Sequence, residues 1–326
     1  MDVSIIIVNW NTCAILRDCL ESVYQQTENL DFETIVIDNA SSDDSVSMVR
    51  EQFPQVRLIA NQENRGFAAA NNQGLEVASG RYVLLLNSDT IVLEGAIQKT
   101  VAFADQYPQA GVFGCRVLNP DRSLQQTCFM APSLLNMLLS SSYLYKLFPS
   151  NRFFGRERMT WWQRDDQREV EVVTGCYLMV RGEALSQVGP LDEGFFMYGE
   201  ETDWCCRFAH AGWKVLFTPE PQIIHLGGQS SRQVRAEMIL QLRSGLLHFL
   251  KKHRSFPEYA CACLLVSLWF ALRVPYWFVR GVLRLKPESI ELRTARVYLQ
   301  GAVCSLFGWS ALAMDRSPAD SRSGQA

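Results

Sequence analysis

Short apolar runs alternate with segments of helical spacing through the first 118 residues of the chain. The runs of strand length are residues 3–8, 34–37, 56–59, 82–86 and 111–118. Between them, apolar residues recur every three or four positions over residues 13–23, 45–52, 67–77 and 93–104. This alternation predicts an α/β fold, with a Rossmann-like, mainly parallel sheet flanked by helices.

The alternation stops at residue 119 and resumes near residue 172. Residues 119–170 hold a turn-forming Asn119-Pro120-Asp121, an apolar stretch and a charged segment around Trp161, and we interpret them as an insertion that shapes a binding surface. The pattern then predicts a strand over 172–180, a helix over 201–210 and strands at 215–217 and 222–225. We therefore predict one α/β domain over residues 1–230.

The chain changes character after residue 230. Residues 231–314 are basic and aromatic and predict a helical region, whereas residues 315–326 have the composition of a disordered tail. Within residues 259–285 the uncharged stretch is about 14 residues, shorter than the roughly 20 that a spanning helix needs. Aromatic residues beside arginines favour helices that lie on a membrane surface. They are Trp269, Phe270, Tyr276, Trp277, Phe278, Arg280 and Arg284. Packed helices, helices that form a homo-oligomer and a true span are the alternatives.

Charge narrows the choice of partners. The 326 residues carry a formal net charge of −3, which does not favour a nucleic-acid partner. Residues 232–300, however, hold twelve Lys and Arg against four Asp and Glu. A basic region on an acidic body favours an anionic membrane surface as partner.

The ten cysteines and the N-terminus indicate an intracellular protein. The cysteines are scattered, without a C-x-x-C pair or zinc-ligand spacing, and several lie within apolar strings, so we interpret them as reduced core residues. A strand begins almost at once, without the basic and apolar regions of a signal peptide. We expect a cytoplasmic catalytic domain.

Polar side chains follow the first two predicted strands at the point where each ends. Asn9 follows the first strand, and Asp38 and Asn39 follow the second. Ligands of open α/β sheets bind at the carboxyl ends of strands, so these side chains could contact a nucleoside. The alternative is that Asp38 only forms a turn and caps the next helix.

A glycine-containing loop precedes the third helix. Arg65 and Gly66 come directly before its start, and Asn71 lies within its first turns. A glycine at a helix start lets backbone N–H groups approach a phosphate, and Arg65 can supply a charged donor. The loop is neither a dinucleotide-binding fingerprint nor a P-loop.

Candidate metal ligands follow two other strands. Asn87 and Asp89 end the run over residues 82–86, and His225 ends the last predicted strand. A carboxylate and an amide can hold Mg²⁺ or Mn²⁺ together with a diphosphate, and a nearby histidine could be a further ligand. A turn-forming Asp89 and a core His225 are the alternatives.

Three acids stand at the start of the helix predicted over residues 201–210. They are Glu200, Glu201 and Asp203. Acids at a helix N-terminus are favoured by the helix dipole, which is one explanation for them. The other is that one of them is a general base.

Together, these motifs resemble glycosyltransferase family 2, with its GT-A fold. The resemblance covers roughly residues 2–230, and its Asn64-Arg65-Gly66-Phe67 and Asn87-Ser88-Asp89-Thr90 forms are most similar to a rhamnosyltransferase-like branch. It implies that Asn9, Asp38, Asn39, Arg65, Gly66, Asn71, Asn87 and Asp89 bind a nucleotide-diphosphate sugar. It further implies that Asp89 and His225 bind the divalent cation.

The resemblance places Glu201 at the usual base position of the family, and two residues depart from the pattern. Asn87 replaces the first acid of the Asp-x-Asp metal motif, and Glu201 replaces an Asp. A carboxylate displaced by one methylene can be costly to catalysis, so Glu200 and Asp203 remain alternatives as the base.

The implied activity is inverting transfer of a sugar to a hydroxyl of a lipid-linked saccharide, in bacterial cell-surface polysaccharide synthesis. Rhamnose from dTDP-rhamnose is the expected donor. A UDP-hexose or UDP-N-acetylhexosamine donor, and a non-catalytic sugar-nucleotide-binding subunit, are the alternatives. The basic, aromatic region would hold the enzyme peripherally on the inner face of the cell membrane.

Overall fold

A computed structural model describes residues 1–228, 235–283 and 290–307. It divides into two units. The first unit comprises Met1–Ala131, Leu139–Glu193 and Glu200–Ser230. The second comprises Pro132–Leu138, Gly194–Gly199 and Ser231–Ala326. Two short segments that precede residue 230 thus group with the C-terminal region.

The first half of the chain forms the parallel part of a sheet. Its elements are β1 (Val3–Asn9), α1 (Cys13–Gln26), β2 (Phe32–Asp38), α2 (Ser45–Gln52), β3 (Arg57–Ala60), α3 (Phe67–Val77) and β4 (Tyr82–Asn87). The strands lie in the order β3-β2-β1-β4 and all pair in parallel. This part agrees with the sequence prediction.

The rest of the first unit makes the sheet mixed. Along the chain the elements are β5 (Thr90–Leu93), α4 (Ala96–Gln106), β6 (Ala110–Leu118), β7 (Cys128–Phe129), α5 (Leu134–Ser142), α6 (Leu144–Leu147), β8 (Arg168–Glu169), β9 (Val172–Val173), β10 (Tyr177–Arg181), α7 (Gly182–Val188), α8 (Glu200–His210) and β11 (Lys214–His225). The first half of α5 is grouped with the second unit. β10 lies antiparallel between β4 and β6. β11 is parallel to β6 and antiparallel to β5 and β8.

Three predicted boundaries were wrong. The helix predicted over 93–104 begins at Ala96 as α4, and residues 90–93 form β5, a strand that the sequence did not predict, because they pair with β11. The strand predicted over 172–180 is two strands, since β9 pairs with β7 and only β10 enters the main sheet. The two last predicted strands are one, β11, with an irregularity between Thr218 and Gln222.

The core lies on both faces of the sheet. Ile5 and Ile7 of β1 pack in the cluster that contains Leu16 and Leu20 of α1. Ile6 packs on the opposite face, in the cluster that contains residues of α3. Because successive strand residues point to opposite faces, burial on both sides explains the uninterrupted apolar runs.

The second unit contains α9 (Arg235–His253), α10 (Phe256–Ala271), α11 (Val274–Leu283) and α12 (Ile290–Phe307). α12 packs against α10, where the Ser267 hydroxyl donates to the Ala302 carbonyl over 2.8 Å. Phe270 was predicted to be an interfacial anchor and is instead fully buried. It lies against Gly301, where a Cβ atom would come within 2.8 Å of its ring.

The stretch Phe256–Leu283 is long and apolar enough to cross a membrane, with a hydropathy of 1.6. It consists of two helices with a break after Ala271. Leu264 and Leu268 of the first helix and Leu272, which caps its C-terminus, are exposed at the four-residue spacing of helical neighbours. Arg284 and the predicted tail over residues 315–326 lie outside the described residues.

Candidate active site

The carboxyl ends of the parallel strands bring the predicted nucleotide residues to one edge of the sheet. In the strand register, Asn9 stands opposite Asp38, and Val8 stands opposite Asn87. Because parallel strands in register end together, residues 29 and 79 positions apart along the chain become neighbours. Asn9, Asp38 and Asn87 therefore lie at one edge of the sheet.

Asp38 is held by the protein on both carboxylate oxygens. Asn9 Nδ2 donates to Oδ1 over 3.0 Å, and the Ser41 amide donates to Oδ2 over 2.9 Å. Thr12 donates to Asn9 Oδ1 over 2.6 Å. The turn-forming role considered for Asp38 is therefore present, and its carboxylate oxygens retain lone pairs for further donors.

Asn39 fixes the loop that carries Arg65 and Gly66. Its Nδ2 donates to Asn64 Oδ1 and to the Gly66 carbonyl, at 2.8 and 3.1 Å. Its Oδ1 accepts from Asn61 Nδ2 and from the Arg65 amide, at 3.1 and 3.0 Å. Since these bonds use both donors and both lone pairs of the amide, Asn39 positions the loop.

Arg65 extends from this fixed loop into solvent. Its side chain is exposed, and among the described residues it has no ion pair. Gly66 takes a φ of 83° before α3 begins, a conformation that favours glycine. Asn71 is buried and donates back to the Phe67 carbonyl over 2.9 Å, so it stabilises the first turn of α3.

Asp89 and His225 meet at the same edge, with Asn87 beside them. His225 Nε2 lies 3.1 Å from Asp89 Oδ1 and 3.3 Å from Asn87 Nδ2. The pairing of β5 with β11 sets His225 opposite Thr90, which explains how residues so distant in the chain converge. The structure thus brings all three predicted metal-site residues together.

Gln125 completes this cluster and was missed in the sequence analysis. Its Oε1 lies 2.6 Å from His225 Nδ1, and its Nε2 donates to Asn119 Oδ1 and to the His225 carbonyl. Because Oε1 can only accept, His225 Nδ1 carries the proton and Nε2 faces Asp89.

A sequence signal for Gln125 did exist in the turn at Asn119. The Asn119 amide donates to the Ser123 carbonyl, and the Gln125 amide then donates to the Val117 carbonyl over 2.9 Å. The chain has folded back beside β6, which is a neighbour of β11. A polar residue just after a turn at a strand's carboxyl end is therefore placed to reach the next strand.

The residues present fit a divalent cation. Asp89 supplies a carboxylate oxygen and His225 an imidazole nitrogen, a donor set that Mn²⁺ and Mg²⁺ accept. Two ligands at right angles around a cation, each at about 2.1 Å, lie about 3.0 Å apart. The 3.1 Å between His225 Nε2 and Asp89 Oδ1 matches that spacing.

The three acids of α8 have different surroundings. Asp203 is fully buried, and its Oδ2 is 2.8 Å from Arg207 Nε in an ion pair. Glu200 is also buried, and its Oε2 has no hydrogen-bond partner. Burial, reinforced by the charge of Glu201, raises the pKa of Glu200 well above its usual range. Glu201 is partly exposed, and of the three it is the accessible candidate for a base.

Cys176 connects the acid of α8 with the metal-site acid. Burial, with smaller contributions from the charges of Asp89 and Glu201, raises the pKa of its thiol to about 12. The Cβ position of neighbouring Gly175 is 3.8 Å from Glu201 Cβ, while the Cys176 carbonyl accepts from the Asn87 amide over 3.1 Å. Asp89 and Glu201 therefore face the same stretch of chain.

Two family models match this sequence. Glycosyl transferase family 2 matches residues 4–156, and Glycosyl transferase family group 2 matches residues 82–311. The chain is 26% identical to an N-acetylglucosaminyl-diphospho-decaprenol L-rhamnosyltransferase of Mycobacterium tuberculosis over 278 residues, 80% of this chain and 84% of the relative. It is also 26% identical to the O-antigen biosynthesis protein RfbC of Myxococcus xanthus, over 71% of this chain and 18% of that protein.

Solved structures with the same fold are more distant in sequence. A mannosyltransferase from Pyrobaculum calidifontis, in complex with GDP-Man and Mn²⁺, has a TM-score of 0.56 at 17% identity and covers 94% of this chain and 87% of its own. GalNAc-T7 with UDP, GalNAc and Mn²⁺ has a TM-score of 0.52 at 16% identity and covers 69% of this chain and 43% of its own. The GT-A fold expected from the sequence is confirmed.

Proposed function

Because this chain belongs to the family 2 glycosyltransferases, we propose that it transfers one sugar from a nucleotide diphosphate to a lipid-linked saccharide. The observation that carries this proposal is the 3.1 Å contact between Asp89 and His225 at the carboxyl ends of the strands. Glu201 lies beside Gly175, next to the Cys176 carbonyl that accepts from the Asn87 amide. The rhamnosyltransferase named above supports rhamnose as the sugar. We keep dTDP-rhamnose as the donor expected from the sequence.

In this proposal the edge residues bind the donor. Asn9 and Asp38 receive the nucleoside, while Arg65 and the N-terminus of α3 receive the diphosphate. Asn39 holds the Arg65 loop in place through its four hydrogen bonds. An exposed guanidinium on a fixed loop can pair with phosphate oxygens at little cost in loop ordering.

Asp89 and His225 would hold the divalent cation, with Asn87 in contact with the His225 ring. When bound, such a cation stabilises the negative charge of the leaving nucleoside diphosphate. With Asn87 in place of a second acid, the protein supplies one carboxylate, so the diphosphate itself must complete the coordination. We therefore expect cation and donor to bind cooperatively.

Glu201 would act as the general base of an inverting transfer. Its carboxylate would take the proton from the acceptor hydroxyl as the oxygen attacks the anomeric carbon from the face opposite the diphosphate. Asp203 is unsuited to this task because it is buried and paired with Arg207. Glu200 is unsuited because its raised pKa favours the protonated form.

The exposed apolar face of α10 supports membrane attachment. Leu264, Leu268 and Leu272 share that face, and the basic character of residues 232–300 suits an anionic leaflet. The enzyme would lie on the inner membrane face, where a lipid-linked acceptor is found. Attachment at the surface is favoured over a span because α10 and α11 are separate helices of 16 and 10 residues.

The decisive experiment is a transfer assay with dTDP-rhamnose, UDP-hexoses and UDP-N-acetylhexosamines, using Mn²⁺ and a lipid-linked N-acetylglucosamine acceptor. We expect transfer from one donor class, and loss of that transfer in Asp89→Asn. Glu201→Gln should lower turnover by about 10²–10⁴-fold while leaving the donor-induced rise in melting temperature intact.

Glu183→Gln, an exposed acid on α7, is the matched control and should keep full activity. Donor binding without transfer or donor hydrolysis in the unaltered enzyme would instead indicate a non-catalytic subunit. Full turnover in Glu201→Gln would overturn the assignment of the base.

A further inference from the structure

The insertion between β6 and β9 forms an open cavity of about 330 Å³. Its volume lies at the lower end of the range for small-ligand sites. The lining residues are Met130, Arg152, Phe153, Arg156, Met159 and Trp161. Two cations among aromatic and thioether side chains make a surface for a ligand that is anionic at one point and apolar at another.

Both arginines of the cavity lack an acidic partner within the described parts of the chain. Arg152 lies over the ring of Trp161, 4.6 Å from its centroid, and makes no ion pair with any residue that the structure describes. Arg156 has a buried Nε without a hydrogen-bond acceptor. Leaving a buried charged donor unsatisfied costs free energy, so an anion that accepts from Arg156 would be stabilised here.

The segment beside the cavity is apolar and basic on its surface. Leu147 is 73% exposed, and Phe148 and Phe153 are each more than half exposed. Lys146 and Arg158 lie over the rings of Tyr143 and Tyr145, at 5.1 and 5.2 Å. Exposed aromatic and aliphatic side chains among cations are typical of contact with a lipid interface.

The cavity is close to the site of transfer. Met130 in its wall lies five residues after Gln125, which contacts His225. Five residues of extended chain span at most about 17 Å. The chain therefore keeps the cavity wall at Met130 within about 17 Å of the residue that contacts His225.

We propose that this cavity binds the diphosphate and first isoprene unit of the lipid-linked acceptor. The proposal rests on the function proposed above. Arg152 and Arg156 pair with the phosphate oxygens, because guanidinium groups match that geometry. Phe153, Trp161 and the methionines contact the isoprene chain, whose remainder continues toward the exposed aromatic residues and the bilayer.

The test is binding of farnesyl diphosphate to the full-length protein, which is measured through the change in tryptophan fluorescence. Arg156→Met and Arg152→Met should each weaken binding by about tenfold or more, since each removes a charged pair with phosphate. Arg158→Met is the matched control, because Arg158 belongs to the same segment and does not line the cavity. Arg152 is exposed, so its variant remains informative if Arg156→Met fails to fold.

Equal affinity in unaltered protein, Arg152→Met and Arg156→Met would overturn the proposal. The proposal would also be overturned if the protein bound phosphatidylglycerol vesicles more tightly than farnesyl diphosphate and if all three variants weakened vesicle binding equally. That result would indicate a general lipid-binding surface. Donor binding, measured by melting temperature with dTDP-rhamnose and Mn²⁺, tests the proposed function separately from the proposed acceptor cavity. Arginine-dependent farnesyl diphosphate binding supports the cavity even where that donor has no effect.

Discussion

At the scale of the residue, one amide determines how His225 faces Asp89. Gln125 Oε1 accepts from Nδ1 and is itself oriented by two acceptors for its own N–H groups, Asn119 Oδ1 and the His225 carbonyl. In a metal-binding histidine, the hydrogen-bond partner of the nitrogen that does not bind the metal commonly fixes the tautomer. Gln125 is thus a positioning residue for the proposed metal site.

Gln125→Leu should release the His225 ring and weaken Mn²⁺ binding by about 10–100-fold. Electron paramagnetic resonance of Mn²⁺ in the presence of dTDP would measure the affinity. Nitrogen NMR of His225 would show, without any metal, whether Nδ1 has ceased to be the protonated atom. Gln125→Glu keeps the accepting oxygen and is the control that should retain the tautomer. An unchanged histidine spectrum in Gln125→Leu would contradict this role.

The buried Glu200 makes stability depend on pH. Its pKa is raised by burial and by Glu201, from a usual value of 4.5. In the unfolded chain it ionises above about pH 4.5, whereas in the folded protein it keeps its proton. The unfolded state therefore binds fewer protons, and this group's contribution to stability is lost as the pH rises toward its folded pKa.

We expect Glu200→Gln to raise the melting temperature at pH 8 and to have little effect near pH 4.5. Thermal denaturation at the two pH values would measure this. Glu183→Gln should show no such difference between the two conditions, because Glu183 is exposed. A Glu200→Gln variant less stable than the unaltered protein at pH 8 would show that the acid is ionised and paired.

At the scale of the element, α3 lies close against β1 because Gly74 has no side chain. A Cβ atom at Gly74 would meet Ile6 Cγ2 at 2.6 Å and Cδ1 at 3.1 Å. Since α3 begins at Gly66 and the Arg65 loop, this close packing also sets the position of the loop relative to the sheet edge.

Gly74→Ala should destabilise the protein, because overpacking costs about 1–3 kcal/mol and exceeds the roughly 1 kcal/mol gained from helix propensity. Urea denaturation would measure the change. In an Ile6→Ala background the same substitution should cost less, since the two side chains no longer collide. Equal costs in both backgrounds would show that the contact is not the cause.

The parallel strands could be predicted because strands buried on both faces have uninterrupted apolar sequences, and the helices between them could be predicted from their apolar spacing. β5 could not be predicted, because it is only four residues long and is stabilised by pairing with β11, more than 120 residues away in the chain. The break between β9 and β10 has the same origin, because β7 in the insertion pairs with β9.

The candidate site divides in the same way. Asn9, Asp38 and Asn87 could be predicted as neighbours because parallel register alone carries them to one edge. The sequence could not predict which acid of α8 is accessible, because the ion pair of Asp203 and the burial of Glu200 result from tertiary packing. Sequence spacing gives three acids on one helix turn and does not rank them.

At the scale of the whole molecule, membrane attachment is the property that the described helices bear on most directly. Leu268→Glu within the exposed face of α10 should lower binding to vesicles that contain phosphatidylglycerol, because it places a charge in the apolar boundary of the bilayer. Co-sedimentation with vesicles would measure this, with phosphatidylcholine vesicles as the comparison. Release from cell membranes by alkaline carbonate would agree with surface attachment, and resistance to it would favour a span.

The pairing of Asp89 with His225 has a consequence for how the protein is made. Asp89 and His225 are separated by 136 positions, and Gln125, which contacts His225, lies 100 positions before it. A chain that emerges from the ribosome from its N-terminus could complete β1 to β4 early, yet it would lack this pair until β11 had been synthesised. Catalytic competence would therefore appear late in translation, and fragments that end before residue 225 would fold in part while remaining inert.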